Sequence, residues 1–374
     1  MTLCPCGSGR PAASCYVHFA VPALLLPARY VNERTKRLWQ HVKAVDDGVL
    51  GGISNGFCQI ESRFPDVLPN LRSSSDLFVV SDYSGPLSNS SAKYETFTYL
   101  MFSYPDTKRW RADRLAVRET YLHDRSMSFK KFNDGMRRSA LPYFLTAANS
   151  IPGVLVTIAV TKSRWSFFQR GRRLDMSLDD FAKYQHWKPA AFEKALRAVH
   201  FLSFLVAGLS VEGQSVIWFS DEDDIAPNAG PDDRTRTAEL GEILTTVISH
   251  YAPHRIHEVI VGTEKDDEPS MSLSDLIAIP DLACGAWCEF LSQVPASEFV
   301  NGTPAVGAAL NTLSRRALQI LSWFAEEHQP LKRLLCVVGE VLPNQKVSYI
   351  CSAPATLRQF KTQVDATLQQ GTAA

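Results

Sequence analysis

Leu77-Phe78-Val79-Val80-Ser81-Asp82-Tyr83-Ser84-Gly85 is the stretch that decides the fold. Residues 77–80 have the length and composition of an apolar strand. The strand runs straight into Ser81 and Asp82 and stops at a turn signal, Gly85. A carboxylate at a strand end sits at the edge of a sheet. Acids ending neighbouring strands converge there, and oxygen-rich edges of this kind suit hard divalent cations.

Working outward, residues 94–104 (YETFTYLMFSY) read as a second strand and residues 115–122 as a third. A helix is expected over 133–148 despite Pro142. Residues 154–161 (VLVTIAVT) form a buried strand. Helical signals start with SLDDF at Ser177, break near Pro189 and continue to Gly208. Residues 215–219 (SVIWF) are a strand ending in SDEDD. A helix over 234–249, a strand over 256–261 and a helix over 272–291, interrupted by Pro280, follow. Upstream, Leu38, Val42 and Val45 place a helix over 31–45, and the glycine-rich 46–55 reads as loop. Downstream lie a helix over 309–326, a hairpin over 335–349 and a terminal amphipathic helix. The order predicts an α/β fold: a mixed sheet flanked by helices, antiparallel at its start with crossovers later.

Three acids stand where chemistry would use them. Asp82 follows the first strand. Asp221 follows SVIWF, with Glu222, Asp223 and Asp224 adjacent. Asp281 lies in LIAIPDLACGA. Together they are candidate catalytic ligands for Mg²⁺ or Mn²⁺, because paired ions stabilise both the attacking and leaving oxygens of a phosphodiester. Each also has a plainer reading. An aspartate at a strand end is commonly a turn or cap residue. SDEDD also fits a solvated acidic run, and Asp275 competes with Asp281.

The elements VVSDYSG, IWFSDEDD and IPDLACGA, in this order, resemble an RNase H-like family of unassigned function. Its members open on a strand ending Asp-Glu-Ser-Gly, place a second Asp after a later strand and close on an Ala-Asp-Leu helix. The resemblance covers roughly residues 77–291 and implies an RNase H-like sheet with Asp82, Asp221 and Asp281 binding metal. MSFKKFND (127–134) resembles the family's Glu-x-Lys element, with Lys130 keeping the lysine. Ser128 stands at the glutamate position, Tyr83 replaces the glutamate of the first motif, and Pro280 replaces the alanine of the last. Glu119 or Asp124 is a candidate spatial substitute for the missing acid.

The N-terminus reads CPCGSGRPAASCYVH (4–18), so three of the eight cysteines fall within fifteen residues. Thiolates and imidazole are preferred ligands of tetrahedral zinc. So short a segment has no core, and metal binding would supply its folding energy. The stretch resembles the SEC-C motif, a small zinc knuckle that opens CPCGSG and places its third cysteine with eight residues between it and the second. The resemblance implies Cys4, Cys6 and Cys15 as structural Zn²⁺ ligands. Tyr16 stands where the motif has its fourth ligand, and His18 is the substitute. The GSG is no phosphate loop, because the lysine and the preceding strand are missing.

The chain has 374 residues, with 39 basic and 39 acidic side chains. At 45% hydrophobic and 21% charged it is an ordinary globular chain, and zero net charge gives no global pull toward nucleic acid or membrane. No segment reaches the roughly 20 apolar residues of a membrane span. With no export signal the expectation is a cytoplasmic protein with reduced thiols. Basic groups are local: KRWRADR (108–114), MRRS (136–139) and QRGRR (169–173). Lys130, Arg137, Arg138, Arg170 and Arg172 are candidate phosphate contacts, joined by Arg111, Arg114 and Arg173. Trp110, Trp165, Phe167 and Phe168 are candidates for stacking on bases, or anchor exposed loops to the core. His200 reads as a core residue, and His250, His254 and His257 as minor candidates for a general base.

The organisation expected is a zinc knuckle over 1–20, a connector over 21–74, an RNase H-like domain over 75–295 and a helical and hairpin extension over 296–374. Two functions follow. One is a metal-dependent nuclease whose knuckle docks nucleic acid or a protein partner. The other is a non-catalytic binding protein on a degenerate scaffold.

Overall fold

The computed structural model describes residues 17–20, 37–42, 49–84, 93–132, 134–161, 184–221, 225, 235–267, 269–294, 299–300, 303–304, 307–341 and 346–370. Cys4, Cys6, Cys15, Arg170, Arg172 and the acids at 222–224 lie outside these residues, as does the side chain of His18.

The strands are β1 (Val17–Ala20), β2 (Asp76–Ser84), β3 (Tyr94–Phe102), β4 (Gly153–Thr161), β5 (Ser215–Ser220), β6 (Glu258–Thr263), β7 (Phe299–Val300), β8 (Thr303–Pro304), β9 (Lys332–Val341) and β10 (Lys346–Ser352). The α-helices are α1 (Val49–Arg63), α2 (Lys108–Val117), α3 (Gly135–Ala148), α4 (Pro189–Leu209), α5 (Thr235–Tyr251), α6 (Ser272–Gln293), α7 (Arg315–Phe324) and α8 (Arg358–Gln370). Eight strands form one mixed sheet in the order β1-β6-β5-β2-β3-β4-β9-β10, and β7 and β8 form a separate ribbon. β2, β3 and β4 are an antiparallel meander; β5 runs parallel to β2, and β6 parallel to β5.

The central strands are buried on both faces, which is why they read as nearly continuous apolar runs. Side chains alternate across the sheet. Leu77, Val79 and Tyr83 of β2 join the core with α1, α4 and α5, whereas Phe78 and Val80 join the core with α3, α6, α7 and α8. The same split holds in β5: Val216 and Trp218 face one core, Ile217 and Phe219 the other. Each fully buried large side chain contributes about 1.5–3 kcal/mol, so the sheet is anchored from both sides.

Several expectations are corrected. Residues 115–122 are not a strand: α2 runs to Val117, and a π-type turn, Arg118–Leu122, continues it. Arg114 and Arg118 lie one helical turn apart and both reach Asp275, so the period there is helical. Residues 46–55 are not simply loop, because α1 begins at Val49. Its glycines serve close packing: a Cβ on Gly52 would sit 2.6 Å from the Tyr349 ring, and one on Gly56 2.4 Å from the Cys351 Sγ. Residues 37–42 are not helical. Glu61 accepts the backbone N–H groups of Leu38 and Trp39, and Arg72 donates to the Leu38 carbonyl, so side chains satisfy this backbone instead. Pro280 does not interrupt α6, which runs on to Gln293. Residues 296–374 feed the main sheet, since β9 pairs in parallel with β4 and β10 closes that edge.

Candidate functional site

Asp82 and Asp221 meet through strand register. Ser81 pairs with Ser220 across the parallel ladder, and the Asp221 N–H extends it by donating to the Ser81 carbonyl at 3.2 Å. The two aspartates are therefore neighbours on adjacent strands, about 4.8 Å apart along the hydrogen-bonding direction. Alternation sets their face. Ser81 and Tyr83 point to the α4 side, where the Ser81 hydroxyl contacts the Tyr83 hydroxyl at 2.7 Å and accepts from the Trp218 indole at 2.8 Å. Asp82, between them, points to the α6 side, as does Asp221 after Ser220. Asp82 is buried.

α6 lies over this face. Its first turn is held by Asp267, whose carboxylate accepts the N–H groups of Leu273 and Ser274 at 2.9 and 2.7 Å. Two turns further along, Asp281 Oδ2 accepts the Phe129 N–H at 2.7 Å. Burial pushes the Asp281 carboxyl above the usual range. The bonds from Phe129 and the Ser128 hydroxyl pull it back, the Asp221 charge pushes it up again, and Lys130 pulls it down. Asp221, Ser128 and Lys130 thus all act on Asp281. Asp82 belongs to the same neighbourhood through Cys284, three residues after Asp281. The Cys284 thiol lies 3.6 Å from the Asp82 carbonyl and 3.2 Å from that of Thr96. Burial first, then the Asp82 charge, raises that thiol well above its ordinary pKa, so it is a neutral donor rather than a nucleophile.

Tyr83 is absent from this acidic face, so the residue at that position removes no carboxylate from it. Ser128 is different: it does face Asp281, as a hydroxyl donor. Glu119 and Asp124 are exposed. Among the described residues, no group of three or more His, Cys, Asp or Glu side chains is arranged to hold a metal ion. Asp82, Asp221 and Asp281 share a face without closing into such a group.

The other predicted residues fall into place around this edge. Lys130 and Arg138 are exposed. Arg137 donates to the Ser126 carbonyl at 2.7 Å and to Asp134 at 2.8 Å, bracing the 126–134 loop. Trp110 is fully buried and packs edge-on against Phe144, so it is an anchor and not a base platform. Arg114 is likewise buried, and Asp275 is its counter-ion together with that of Arg118. Trp165, Phe167 and Phe168 lie outside the described residues. His254 contacts the Ser210 hydroxyl at 2.7 Å, and the His257 N–H donates to the Gln214 carbonyl, both at the start of β5. Asp221 is at its other end, some 20 Å away at about 3.3 Å per residue, so neither histidine is a base for the aspartates. Sequence reasoning missed the Phe129 N–H and the link from Cys284 to Asp82. The second was legible in the place of Cys284, three along the helix from Asp281.

The described cysteines Cys58, Cys284, Cys288, Cys336 and Cys351 are free thiols. No described helix is long and apolar enough to cross a membrane. No protein-family model, curated protein or solved structure matches the chain.

Proposed function

We propose that this chain is a divalent-metal-dependent nuclease-like protein on an RNase H-like scaffold, working in the cytoplasm. The observation that carries the proposal is the meeting of Asp82, two residues before the end of β2, and Asp221, just after β5, on two parallel central strands, under a helix whose Asp281 feels the Asp221 charge. The strand order β6-β5-β2-β3-β4, a meander followed by two parallel strands, supports the scaffold. Bound Mg²⁺ or Mn²⁺ would supply an activated water and neutralise the charge that develops on the phosphodiester. The chain's own part is charge placement. The Asp221 charge opposes ionisation of Asp281, and a bound cation would favour the charged form of that carboxyl. Lys130 supplies positive charge on the solvent side. Cys4, Cys6, Cys15 and His18 form a structural Zn²⁺ knuckle in this reading, docking substrate or a protein partner.

The test is cleavage of labelled RNA, DNA and hybrid duplex in Mn²⁺. Turnover is expected from the native chain and none from an Asp82→Ala, Asp221→Ala double variant; equal turnover from both would refute the proposal. Zinc content should be one per chain and fall in Cys6→Ser.

A second reading has its own support. Ser128 donates to Asp281 where a further carboxylate would complete the acid set, which favours a binding protein without turnover. Tight nucleic-acid or protein binding with no cleavage in Mg²⁺ or Mn²⁺ would select it.

A further inference from the structure

A cleft of about 620 Å³ lies beside the acidic edge, between the start of α3 and the start of α7. Phe132, Gly135, Arg138 and Ser139 line one wall, and Ser314, Arg315, Arg316 and Gln319 the other. No acid lines it. Arg138, Arg315 and Arg316 make no ion pair with a described carboxylate, in contrast to the exposed pairs Arg109–Asp113 and Arg358–Glu327 elsewhere. The nearest acids are engaged. Asp134 caps α3 through the Met136 N–H and holds Arg125 and Arg137. Glu289 accepts both the N–H and the hydroxyl of Ser314.

Arg316 is the built element of this cleft. Its guanidinium stacks on the Phe129 ring, 4.5 Å from the centroid, and its Nε is buried without a hydrogen-bond partner among the described residues. Stacking fixes the plane of the guanidinium while leaving donors available. Two helix N-termini, capped by Asp134 and Ser314, add partial positive charge. Phe129 also ties the cleft to the acids, because its N–H is the one bonded to Asp281. The single turn 128–132 thus carries an Asp281 contact at one end and a wall of the cleft at the other, with Lys130 and Lys131 exposed between them.

We infer that this arginine cleft, formed jointly by α3 and the C-terminal α7, binds backbone phosphates of single-stranded nucleic acid and leads the strand to the aspartate edge. It deepens the function proposed above and rests on it for the class of ligand. Its volume exceeds that needed for a lone phosphate. Its position along one turn from Asp281 gives a run of positive charge from the cleft through Lys131 and Lys130. That arrangement suits a polymer whose charges repeat along its length. It also gives the C-terminal segment a task, since Arg315 and Arg316 lie beyond the stretch that resembles the RNase H-like family.

The test uses the full chain without added Mg²⁺ or Mn²⁺ and a fluorescein-labelled 12-mer, as RNA and as DNA, read by anisotropy across a salt series. Arg138→Ala with Arg315→Ala should weaken binding about tenfold and flatten the log-log salt slope by roughly 1 to 2, the change expected for losing about two phosphate contacts. Both side chains are exposed, so the melting temperature should not move. Arg109→Ala, on the exposed side of α2, should bind within about twofold of the native chain. Unchanged affinity in the double variant, or no oligonucleotide binding by the native chain, overturns the inference. So does displacement of the 12-mer by a polyglutamate peptide of equal charge, or by inorganic phosphate, as effectively as by unlabelled oligonucleotide. The catalytic proposal fails separately. Cleft-dependent binding with no cleavage in Mn²⁺ would sink turnover and leave this inference standing.

Discussion

The Phe129 N–H donates to Asp281 Oδ2 at 2.7 Å, joining a loop between α2 and α3 to the middle of α6. Gly285, one turn beyond Asp281, makes this approach feasible. A Cβ at that position would sit 2.4 Å from Cγ and Cδ1 of the Phe129 ring. Gly285→Ala should therefore push the ring away, lengthen the Asp281 bond and lower stability by about 1–3 kcal/mol, the usual range for overpacking. The amide of Phe129 should lose hydrogen-exchange protection while amides of the distant α5 keep theirs. Unchanged protection at Phe129 would contradict the coupling.

Asp275 accepts from Arg118 Nε at 2.6 Å and Nη2 at 2.7 Å, and from Arg114 Nη1 at 2.9 Å. All three side chains are buried, and burial pushes the carboxyl upward while the two guanidinium groups pull it down. Asp275→Ala would leave two buried cations unbalanced, at a cost of about 3–5 kcal/mol. A urea midpoint within experimental error of the native one would show that the triad carries no such weight. Because this cluster is internal, the loss should track the folded fraction and leave the metal dependence of any activity unchanged.

The sheet was legible wherever burial on both faces left an unbroken apolar run, as in residues 77–80, 154–161 and 215–219. Strand ends place Asp82 and Asp221 from sequence alone, with β2 extending two residues beyond Asp82. Pairing was not legible. That Asp82 neighbours Asp221 depends on a parallel register between segments some 140 residues apart. Misreadings had tertiary causes. The α2 stretch 108–114 carries five charged residues in seven, four of them basic, and resembles an exposed basic loop, but Arg114 is buried because Asp275 arrives from α6. Arg315 and Arg316 carried no local signal at all; they matter because the fold sets them against Arg138, far away in sequence.

The glycines of α1 give a third prediction. Gly52 and Gly56 lie one turn apart on the face against β10, and each would meet a side chain there if it carried a Cβ. Glycine within a helix costs up to about 1 kcal/mol relative to alanine, so in an exposed helix both changes would stabilise. Here Gly56→Ala should destabilise by about 1–3 kcal/mol, because the Cys351 Sγ has to move. Pairing it with Cys351→Ala should recover part of the loss. A stabilised single variant would mean that α1 does not pack on β10 this closely.

His200 and His254 predict the acid response of the fold. His200 contacts the Tyr251 hydroxyl at 2.6 Å, and burial, with the nearby His250, lowers its pKa to about 4. His254 is also lowered to about 4, by burial and by Arg72 against an opposing pull from Glu212. Both imidazoles take up protons near pH 6.5 once unfolded, well before they do so in the fold. Between about pH 6.5 and 4 the unfolded chain therefore binds more protons, and stability falls as the pH falls. Each histidine contributes at most about 1.4 kcal/mol per pH unit across that window, and partial exposure brings the total nearer 1–3 kcal/mol each. Urea denaturation at pH 7.5, 6.0 and 5.0 should show midpoints dropping stepwise. In a His200→Asn, His254→Asn double variant the slope should flatten, whatever the absolute stability. An equal slope in both proteins would assign the acid lability to other groups.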